Sequence, residues 1–372
     1  MKKIKAFLYS TAKQGIPLLA KLFGANLLGK QATLEKLKPY RIFSEKGEEV
    51  KIPPARIADG NQPEHFINSQ TETTSFINVY QITGNKHRVK IYPYGGVKLN
   101  ADVLDMDFGS SLFIKTLLKK DERPVIKCGD CIVLWSHYWG NGYYDYMYFI
   151  YAKLLRIKSV MNDDDFKQAK LAYPLVGTPF EKELMKYAGV NDEQLIDTRQ
   201  HQIQADNYYL ATNDNWYYHN KYDLQLLKNT LSAVIAADTG NERIYISRKG
   251  RRKLINEEEV IKLLKEFDFT IIDDVPRTVA EQIAIYRSAK VIIGPHGASY
   301  TNIINCEPGT VLIELFPNNY YPDYFRYLST VFKLRYFALF ADDIQESHYR
   351  NLDEDLYIDP ERIKNTLDKI LN

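Results

Sequence analysis

The chain has 372 residues, of which 45% are hydrophobic and 26% are charged. That length predicts two or three domains, each large enough to bury its own core, and it excludes a peptide hormone or a disordered tail. Lys and Arg number 49 against 47 Asp and Glu, so the formal net charge of +2 provides no global field of the kind that nucleic-acid binders carry. Three cysteines in so long a chain indicate a reducing compartment rather than a disulfide scaffold.

Residues 1–40 form a leader that is more basic than the rest of the chain, with eight lysines and one glutamate. Lys13 and Lys21 cut its apolar runs well short of the roughly 18 uninterrupted residues that a membrane span requires. Two interpretations stay open: a basic amphipathic segment resting on an anionic membrane face, or a solvated arm or crossing helix. Since no clear export signal is present, we expect a cytoplasmic protein, which the first interpretation would make peripheral on the inner face of the cell membrane.

Changes in composition predict three further regions after the leader. Residues 41–225 are expected to form an N-terminal α/β domain, in which an apolar strand at Cys131–Trp135 precedes an aromatic helix and Asp163–Asp165 lie in a polar loop. Residues 226–345 are expected to form a C-terminal Rossmann-like domain, and residues 346–372 a tail and helix.

The last third of the chain alternates apolar strands with capped helices. Thr278 and Glu281 predict a capping box for a helix through Ala289, and Asn256 is a candidate cap for a helix to about Phe267. Successive β-α-β units predict a parallel, doubly wound sheet with ligands at the carboxyl ends of its strands. The predicted strands are Arg243–Arg248, Phe269–Asp273, Lys290–Gly294, Val311–Phe316 and Tyr336–Phe340.

A basic cluster follows the first of these strands, in SRKGRRKLINEEE at residues 247–259. Guanidinium groups form paired, charge-assisted hydrogen bonds with phosphate oxygens, and a glycine lets the backbone close around them. The alternative is a solvated basic hairpin. We favour a diphosphate site, because the cluster lies where an open α/β sheet binds its ligand. Its members are Ser247, Arg248, Lys249, Gly250, Arg251, Arg252 and Lys253.

A second motif, GPHGASYTN at residues 294–302, follows a buried strand and opens a helix. Gly297 and Ala298 would present backbone amides to an anion, and His296 could donate to a phosphate or sugar oxygen; the alternative is an ordinary turn histidine. The motif is neither a dinucleotide fingerprint nor a phosphate loop, which disfavours a nicotinamide enzyme or a nucleotide hydrolase. Glu314 interrupts the next apolar strand, so it needs a partner, either ribose hydroxyls or one of the arginines.

A third motif, WSHYWGNGYYDYMYFIYAKLLRI at residues 135–157, predicts a buried helix capped by Asn141. Asp145 is its one acidic residue. Desolvation raises the pKa of such a carboxylate and a helix N-terminus lowers it, a balance typical of a general base, although Asp145 could instead stabilise the first helical turn. We treat Cys128 and Cys131 as structural, since His137 is the only nearby residue that could add to a zinc site.

Three stretches resemble family 61 glycosyltransferases, a family that includes capsular polysaccharide biosynthesis proteins and xylan transferases. They are NGYYDYMYFIYAKLLRI, ISRKGRRKLINEEE and IIGPHGASYTNIINCEPGTVLIELFP, and the resemblance spans residues 130–345. It implies a GT-B-like architecture of two Rossmann-like, doubly wound α/β domains facing across a cleft. It also implies an inverting, metal-independent mechanism and a UDP-activated donor in the C-terminal domain. Asp145 stands where many relatives carry histidine. The residues at family motif positions are Ser247, Arg248, Arg252, Asn256, Glu257, His296, Gly297, Asn302 and Glu314.

The sequence therefore predicts an inverting glycosyltransferase that adds a sugar to a glycan or lipid-linked glycan of the capsule or lipopolysaccharide type. Asp145 and His296 are the catalytic candidates. No cofactor, metal or nucleic acid is expected, and the leader is the candidate membrane contact. The alternative is a non-catalytic glycan- or nucleotide-binding subunit, which the histidine-to-aspartate departure keeps open. Besides the motif positions, Arg251 and Ala298 are assigned to the donor, and the residues assigned to the acceptor are His137, Trp139, Asn141 and Tyr144.

Overall fold

A computed structural model describes residues 17–18, 20–57, 63–107, 113, 116, 120–134, 136, 142–341 and 354–371. The chain divides into two compact units, each of mixed α/β structure. The first comprises residues 1–47 and 75–216, and the second comprises residues 48–74 and 217–372. Among the described helices, none combines the length and the apolar character that crossing a bilayer requires.

The first unit is built on a six-stranded mixed sheet. Its strands are, in spatial order, Leu195–Asp197, Lys170–Tyr173, Val125–Val133, Gln202–Thr212, Ile77–Thr83 and Arg41–Glu45. The first four run parallel, whereas each of the last two is antiparallel to the strand before it. The expectation of a doubly wound parallel sheet therefore fits only part of this unit. The reason is that Ile77–Thr83, which precedes the β-α-β units in the chain, pairs in the opposite direction with the long strand Gln202–Thr212.

A four-stranded sheet supplies part of the same core. Leu99 in the small sheet and Leu210 in the large one belong to a single buried cluster. The leader helix Lys30–Leu37 adds Leu37 to this cluster, so the later part of the leader packs within the first unit. Residues 1–16, which carry the remaining basic character of the leader, lie outside the described part of the chain. The strands of the small sheet are Asn26–Leu27, Asp102–Val103, Val97–Leu99 and Val89–Ile91.

The predicted buried aromatic helix is confirmed, with one local departure from α geometry. It begins at Tyr143–Asp145, continues as a π-helix over Tyr146–Tyr151 and ends as an α-helix over Ala152–Lys158. Every residue of the π segment is buried. π-helical turns occur often at functional sites, and this one begins directly after Asp145.

The predicted polar loop at Asp163–Asp165 is wrong, because these residues form the first turn of the helix Asp163–Gln168. The side chain of Asn162 caps this helix by accepting a hydrogen bond from the Asp165 amide at 2.8 Å. Carboxylates are favourable at a helix N-terminus, and the three side chains are exposed to solvent as expected. Further helices in the described part of the unit are Lys38–Tyr40, Pro179–Tyr187 and Asp192–Gln194.

The second unit is built on a six-stranded sheet whose strands are all parallel, as predicted. Their spatial order is Thr270–Ile272, Arg243–Ile246, Val291–Pro295, Val311–Phe316, Arg335–Phe340 and Arg56–Ile57. After Arg243–Ile246 the chain forms the edge strand Thr270–Ile272 on one side of it. The next strands, Val291–Pro295, Val311–Phe316 and Arg335–Phe340, are added on the other side. The strand order therefore reverses between Arg243–Ile246 and Val291–Pro295, the place where doubly wound sheets bind their ligands.

Both faces of this sheet are covered. Glu257–Glu266 and Pro360–Leu371 share a core with Ile313 and Leu315 on one face. Because side chains alternate along a strand, Glu314 points to the opposite face. The 3-10 helix Ala298–Asn305 contacts three further helices, Lys221–Ser232, Val279–Ser288 and Tyr324–Val331.

Residues 48–74 leave the first unit and pack with the second. They contain the antiparallel strands Glu49–Ile52 and Gln70–Thr73, the strand Arg56–Ile57 and the short helix Glu64–Ile67. The buried side chain of Arg326 holds this segment, donating to the carbonyl oxygens of Pro53 at 2.6 and 2.9 Å, of His65 at 2.5 Å and of Asn68 at 2.7 Å. A part of the region assigned to the N-terminal domain from sequence thus packs within the second unit, through this guanidinium group and the strand pairing of Arg56–Ile57.

Candidate functional site

Two loops leave the carboxyl ends of the strands that flank the reversal of strand order. One begins at Ser247, directly after Arg243–Ile246, and the other at His296, directly after Val291–Pro295. Backbone hydrogen bonds fix both starting points: the Ser247 amide donates to the carbonyl oxygen of Ile272 at 3.0 Å, and the His296 amide to that of Leu315 at 2.8 Å. The sheet therefore brings together the two motifs that the sequence singled out.

Arg248 connects these two loops. Its Nη1 donates to the carbonyl oxygen of His296 at 3.0 Å, and its Nε donates to that of Arg251 at 2.5 Å. The guanidinium lies so close to Gly297 that a Cβ atom there would overlap Nη1. A larger residue at position 297 would therefore displace the Arg248 guanidinium from this position.

Arg252 is buried beside it, with 6% of its surface exposed. Its guanidinium lies 4.9 Å from the centre of the Tyr320 ring. Its backbone φ is +59°, a left-handed value that residues other than glycine rarely adopt. The buried Nε of Arg252 has no hydrogen-bond partner among the described residues. Arg252 therefore differs from the solvated hairpin of the alternative interpretation, whereas Lys249, Arg251 and Lys253 are exposed as that interpretation expects. A buried and partly unsatisfied cation is suited to an anionic ligand.

The two cations repel one another. Burial, together with Arg252 and Arg251, lowers the pKa of Arg248 to about 10, and burial also lowers the pKa of Arg252. Arg248 nevertheless remains charged at neutral pH. An anion bound between the two guanidinium groups would reduce their mutual repulsion. It would also replace the interactions with water that these groups lose on burial.

His296 and Glu314 form a buried pair behind the arginines, with 1% and 0% of their surfaces exposed. Nδ1 of His296 lies 2.5 Å from one oxygen of Glu314, and the Tyr336 hydroxyl donates to the other oxygen at 2.5 Å. Nε2 of His296 contacts the Tyr324 hydroxyl at 3.0 Å. Glu314 is therefore engaged by a histidine and a tyrosine, rather than by one of the arginines that the sequence offered as a partner.

The electrostatics of this pair leave the imidazole uncharged. Burial raises the pKa of Glu314 well above its usual value, and burial together with Arg252 and Arg248 lowers the pKa of His296. Both ring nitrogens are occupied by protein groups. His296 is thus placed to orient Tyr324, whose side chain is the more exposed of the two.

The other motif residues in this unit hold the site together. Ser247 and Tyr245 both donate to the same oxygen of Glu257, at 2.9 and 2.8 Å. Asn256 occupies the N-cap position of Glu257–Glu266, but its side chain donates to the carbonyl oxygen of Ile358 at 3.0 Å instead of capping the helix.

The GPHG loop leads into a 3-10 helix rather than an α-helix. Gly297 is the N-cap residue and Ala298 is the first residue of Ala298–Asn305. Asn302, within this helix, donates to Gln282 at 2.9 Å and to the carbonyl oxygen of Ser299 at 3.1 Å. The predicted helix start is therefore at the expected place, and the first amides of a 3-10 helix have no partner within the helix itself.

Asp145 lies in the first unit, half-buried in the first turn of the aromatic helix. Burial raises its pKa to about 7, the direction expected from its apolar surroundings. No residue in the described part of the chain forms an ion pair or a hydrogen bond with its carboxylate. The group can thus exchange a proton near neutral pH.

Of the four predicted acceptor residues, Tyr144 alone lies in the described part of the chain. Tyr144 is buried, and its ring contacts Tyr148 and Trp216 at centroid distances of 4.8 and 6.4 Å, so it belongs to an aromatic cluster of the core. The remaining three, His137, Trp139 and Asn141, lie outside the described residues.

Three tyrosines of this site were not predicted from the sequence. Tyr320 contacts Arg252, Tyr324 contacts His296, and Tyr336 contacts Glu314. A cluster of aromatic residues directly after the strand Val311–Phe316 was the available signal for the first two. Within the ranges that the structure describes, no three His, Cys, Asp or Glu side chains come together as a metal site.

Paired guanidinium groups at the reversal of strand order in a parallel α/β unit are typical of sites for phosphorylated ligands. Residues 65–313, more than half of the chain, match the family Glycosyltransferase 61. The protein belongs to this family and is a glycosyltransferase by class.

The chain is also similar to the xylan glycosyltransferase MUCI21 of Arabidopsis thaliana, with 35% identity over 74 residues. The similarity covers 19% of this chain and 15% of that protein, so the match spans a small part of the relative's length.

Proposed function

We propose that the protein is an inverting, metal-independent glycosyltransferase that moves a sugar from a UDP-sugar to a hydroxyl of a growing cell-surface polysaccharide, of the capsule or lipopolysaccharide type, at the cytoplasmic face of the membrane. The observation that carries the proposal is the position of Arg248 and Arg252 at the reversal of strand order in the second unit. The GT-B-like arrangement that the family resemblance implies is part of the proposal, and crystals grown with UDP would test it.

The donor diphosphate binds to Arg248 and Arg252 in this proposal. A hydrogen bond between a guanidinium and a charged oxygen contributes about 1.5–3 kcal/mol, and the unsatisfied Nε of Arg252 is available for one. The N-terminus of Ala298–Asn305 adds backbone donors. Together these groups stabilise the charge that develops on UDP as it leaves, which is the role that a divalent cation plays in other transferases.

Asp145 accepts the proton of the attacking hydroxyl. The acceptor oxygen bonds to the anomeric carbon on the face opposite UDP while the bond between that carbon and the diphosphate oxygen breaks, so the configuration inverts. A carboxylate with a pKa of about 7 is half ionised near neutral pH, which suits a general base.

An assay of UDP release from a panel of UDP-sugars tests the proposal, because transferases commonly hydrolyse their donor slowly. We expect release with at least one donor and its loss in Arg248→Ala. Calorimetry should show that Arg248→Ala weakens UDP binding about 10–100-fold, which corresponds to one charge-assisted hydrogen bond. The matched control is Lys262→Ala, which removes an exposed cation from the helix Glu257–Glu266 and should leave binding unchanged.

Two results would count against the proposal. UDP binding without release from any donor would favour the alternative of a non-catalytic nucleotide-binding subunit. Equal UDP affinity in the wild type and in Arg248→Ala would remove the arginine pair from the donor site.

A further inference from the structure

An open pocket of about 710 Å³ lies in the first unit, and its lining contains several cations and no carboxylate among the described residues. Lys86 and Arg88 come from the turn that follows Ile77–Thr83, and Lys98 comes from the small sheet. His87 lies between the first two. The donor site proposed above does not use any of these residues.

Two carboxylates of the first unit, Asp102 and Asp121, are engaged by other cations. Asp102 accepts from Lys36 at 2.8 Å and from Asn26 at 3.0 Å. Asp121 accepts from Arg123 at 2.7 Å and pairs with Lys90 at 3.1 Å. Within the described part of the chain, no carboxylate pairs with Lys86, Arg88 or Lys98.

Hydrogen bonds hold the pocket in place. The backbone of Arg88 is tied to Asn100 twice, through its amide to the Asn100 side chain at 3.0 Å and through its carbonyl oxygen to the Asn100 amide at 2.7 Å. Lys98 Nζ donates to the carbonyl oxygen of Gly24 at 2.9 Å, and His87 Nε2 contacts the Tyr40 hydroxyl at 3.1 Å. The cations are therefore presented from a preorganised turn and sheet rather than from a loose tail.

The electrostatics favour an anion. Burial and the neighbouring Lys90 lower the pKa of Lys98, and the nearby Asp102 offsets part of this effect. An anionic group in the pocket would compensate the charges of three basic side chains at once.

We propose that this pocket is a binding site for a phosphoryl group, carried either by a lipid headgroup or by a free phosphate compound. Phosphate offers several charged oxygens, which fits a pocket that presents two ammonium groups, a guanidinium and an imidazole. The pocket adjoins Gly24 of the basic leader, so a membrane lipid could engage both.

Inorganic phosphate is the first probe, and the readout is the ¹³C resonance of His87 in protein labelled at its seven histidines. His87→Gln assigns the resonance. This readout is local, so phosphate bound by Arg248 and Arg252 does not interfere. We expect a saturable shift of the His87 signal, with affinity lowered about tenfold or more in a variant that combines Lys86→Gln, Arg88→Gln and Lys98→Gln.

The control combines Lys127→Gln, Lys182→Gln and Lys186→Gln, which removes the same charge from exposed positions of the same unit. It should retain the wild-type response. An unmoved His87 signal in the wild type, or equal weakening in the two triple variants, would overturn the proposal.

Vesicle flotation then identifies the source of the phosphoryl group. Vesicles of phosphatidylcholine with phosphatidylglycerol are compared with pure phosphatidylcholine. Loss of binding to the anionic vesicles in the pocket variant, but not in the control, identifies a lipid headgroup. Unchanged flotation together with a weakened phosphate response identifies a free phosphate compound.

Discussion

His296 and Glu314 are joined across neighbouring strands of the second unit, with 2.5 Å between Nδ1 and a carboxylate oxygen. The register of the sheet places them there, because Pro295 pairs with Leu315 and the His296 amide donates to the Leu315 carbonyl oxygen. Both side chains are buried, and the Arg248 guanidinium donates to the carbonyl oxygen of the same histidine. The loop that carries the donor-binding backbone is therefore fixed from within the core.

Removal of the Tyr336 hydroxyl should weaken this arrangement. Tyr336→Phe leaves an oxygen of Glu314 buried without its donor, and we expect the free energy of unfolding to fall by about 1–3 kcal/mol. Chemical denaturation measures the change. Tyr357→Phe removes a hydroxyl from a residue with 44% of its surface exposed and should change stability by less than about 0.5 kcal/mol. Equal stability of Tyr336→Phe and the wild type would show that this hydrogen bond is dispensable.

A methyl group at position 297 should disturb nucleotide binding. In Gly297→Ala the added Cβ would overlap the Arg248 guanidinium, which must then move away from the carbonyl oxygen of His296. We expect UDP affinity, measured by calorimetry, to fall about tenfold or more, the equivalent of one displaced charge-assisted hydrogen bond. Gly129→Ala is the matched control, because this residue lies outside the basic cluster and nothing lies within 4 Å of a Cβ there. The idea fails if the two variants bind UDP equally.

Asp145 should control the pH dependence of turnover. Since burial raises its pKa to about 7, the protonated and inactive form dominates below that pH, and kcat/KM should fall about tenfold per pH unit there and level off above it. Asp145→Asn should retain UDP binding and lose about 100-fold or more in turnover. Wild-type turnover in Asp145→Asn would exclude this carboxylate as the base.

The same carboxylate should also affect stability. Its pKa is raised in the folded state from the usual 3.8, so the folded protein binds the proton more tightly and loses stability as the pH rises from about 4 to about 7. The loss is at most about 4 kcal/mol above pH 7, and Asp145→Asn should remove it. Denaturation of the wild type and of Asp145→Asn at pH 5 and pH 8 gives the free energy of unfolding of each. If the value for the wild type does not fall relative to that of Asp145→Asn between pH 5 and pH 8, the raised pKa is contradicted.

Local patterns in the sequence were sufficient for much of the second unit. The capping box predicted at Thr278 and Glu281 is present, with reciprocal hydrogen bonds of 2.7 and 3.1 Å, because its partners lie within one helical turn. The apolar run Val311–Phe316 forms the predicted strand, buried on both faces. The placement of the two motifs at the carboxyl ends of adjacent strands followed from the same reasoning.

Contacts between residues far apart in sequence were not accessible in this way. The partner of Glu314 depends on the register between two strands, and Tyr336 reaches it from a third strand. Hydrophobic patterns give the type of each strand but not its register or neighbours. The antiparallel strand Ile77–Thr83 was missed as a member of the large sheet for the same reason.

The association of residues 48–74 with the second unit gives the last prediction. Arg326, with 1% of its surface exposed, donates to carbonyl oxygens of Pro53, His65 and Asn68 and lies 5.4 Å from the centre of the Phe66 ring. Arg326→Met fills a similar volume but leaves these carbonyl oxygens without their donor. We expect a loss of about 3–5 kcal/mol in the free energy of unfolding and faster proteolysis within residues 48–74.

Arg287→Met provides the comparison, because Arg287 donates to the carbonyl oxygens of Leu231 and Val234 at 3.3 and 3.4 Å, which are longer and weaker hydrogen bonds. It should leave cleavage within residues 48–74 unchanged. Limited proteolysis followed by mass spectrometry locates the first cut in each variant. If Arg326→Met is cleaved first outside residues 48–74, the segment is held by its strand pairing with Arg335–Phe340 rather than by the arginine, since Arg56 and Ile57 pair there with Phe337 and Ala338.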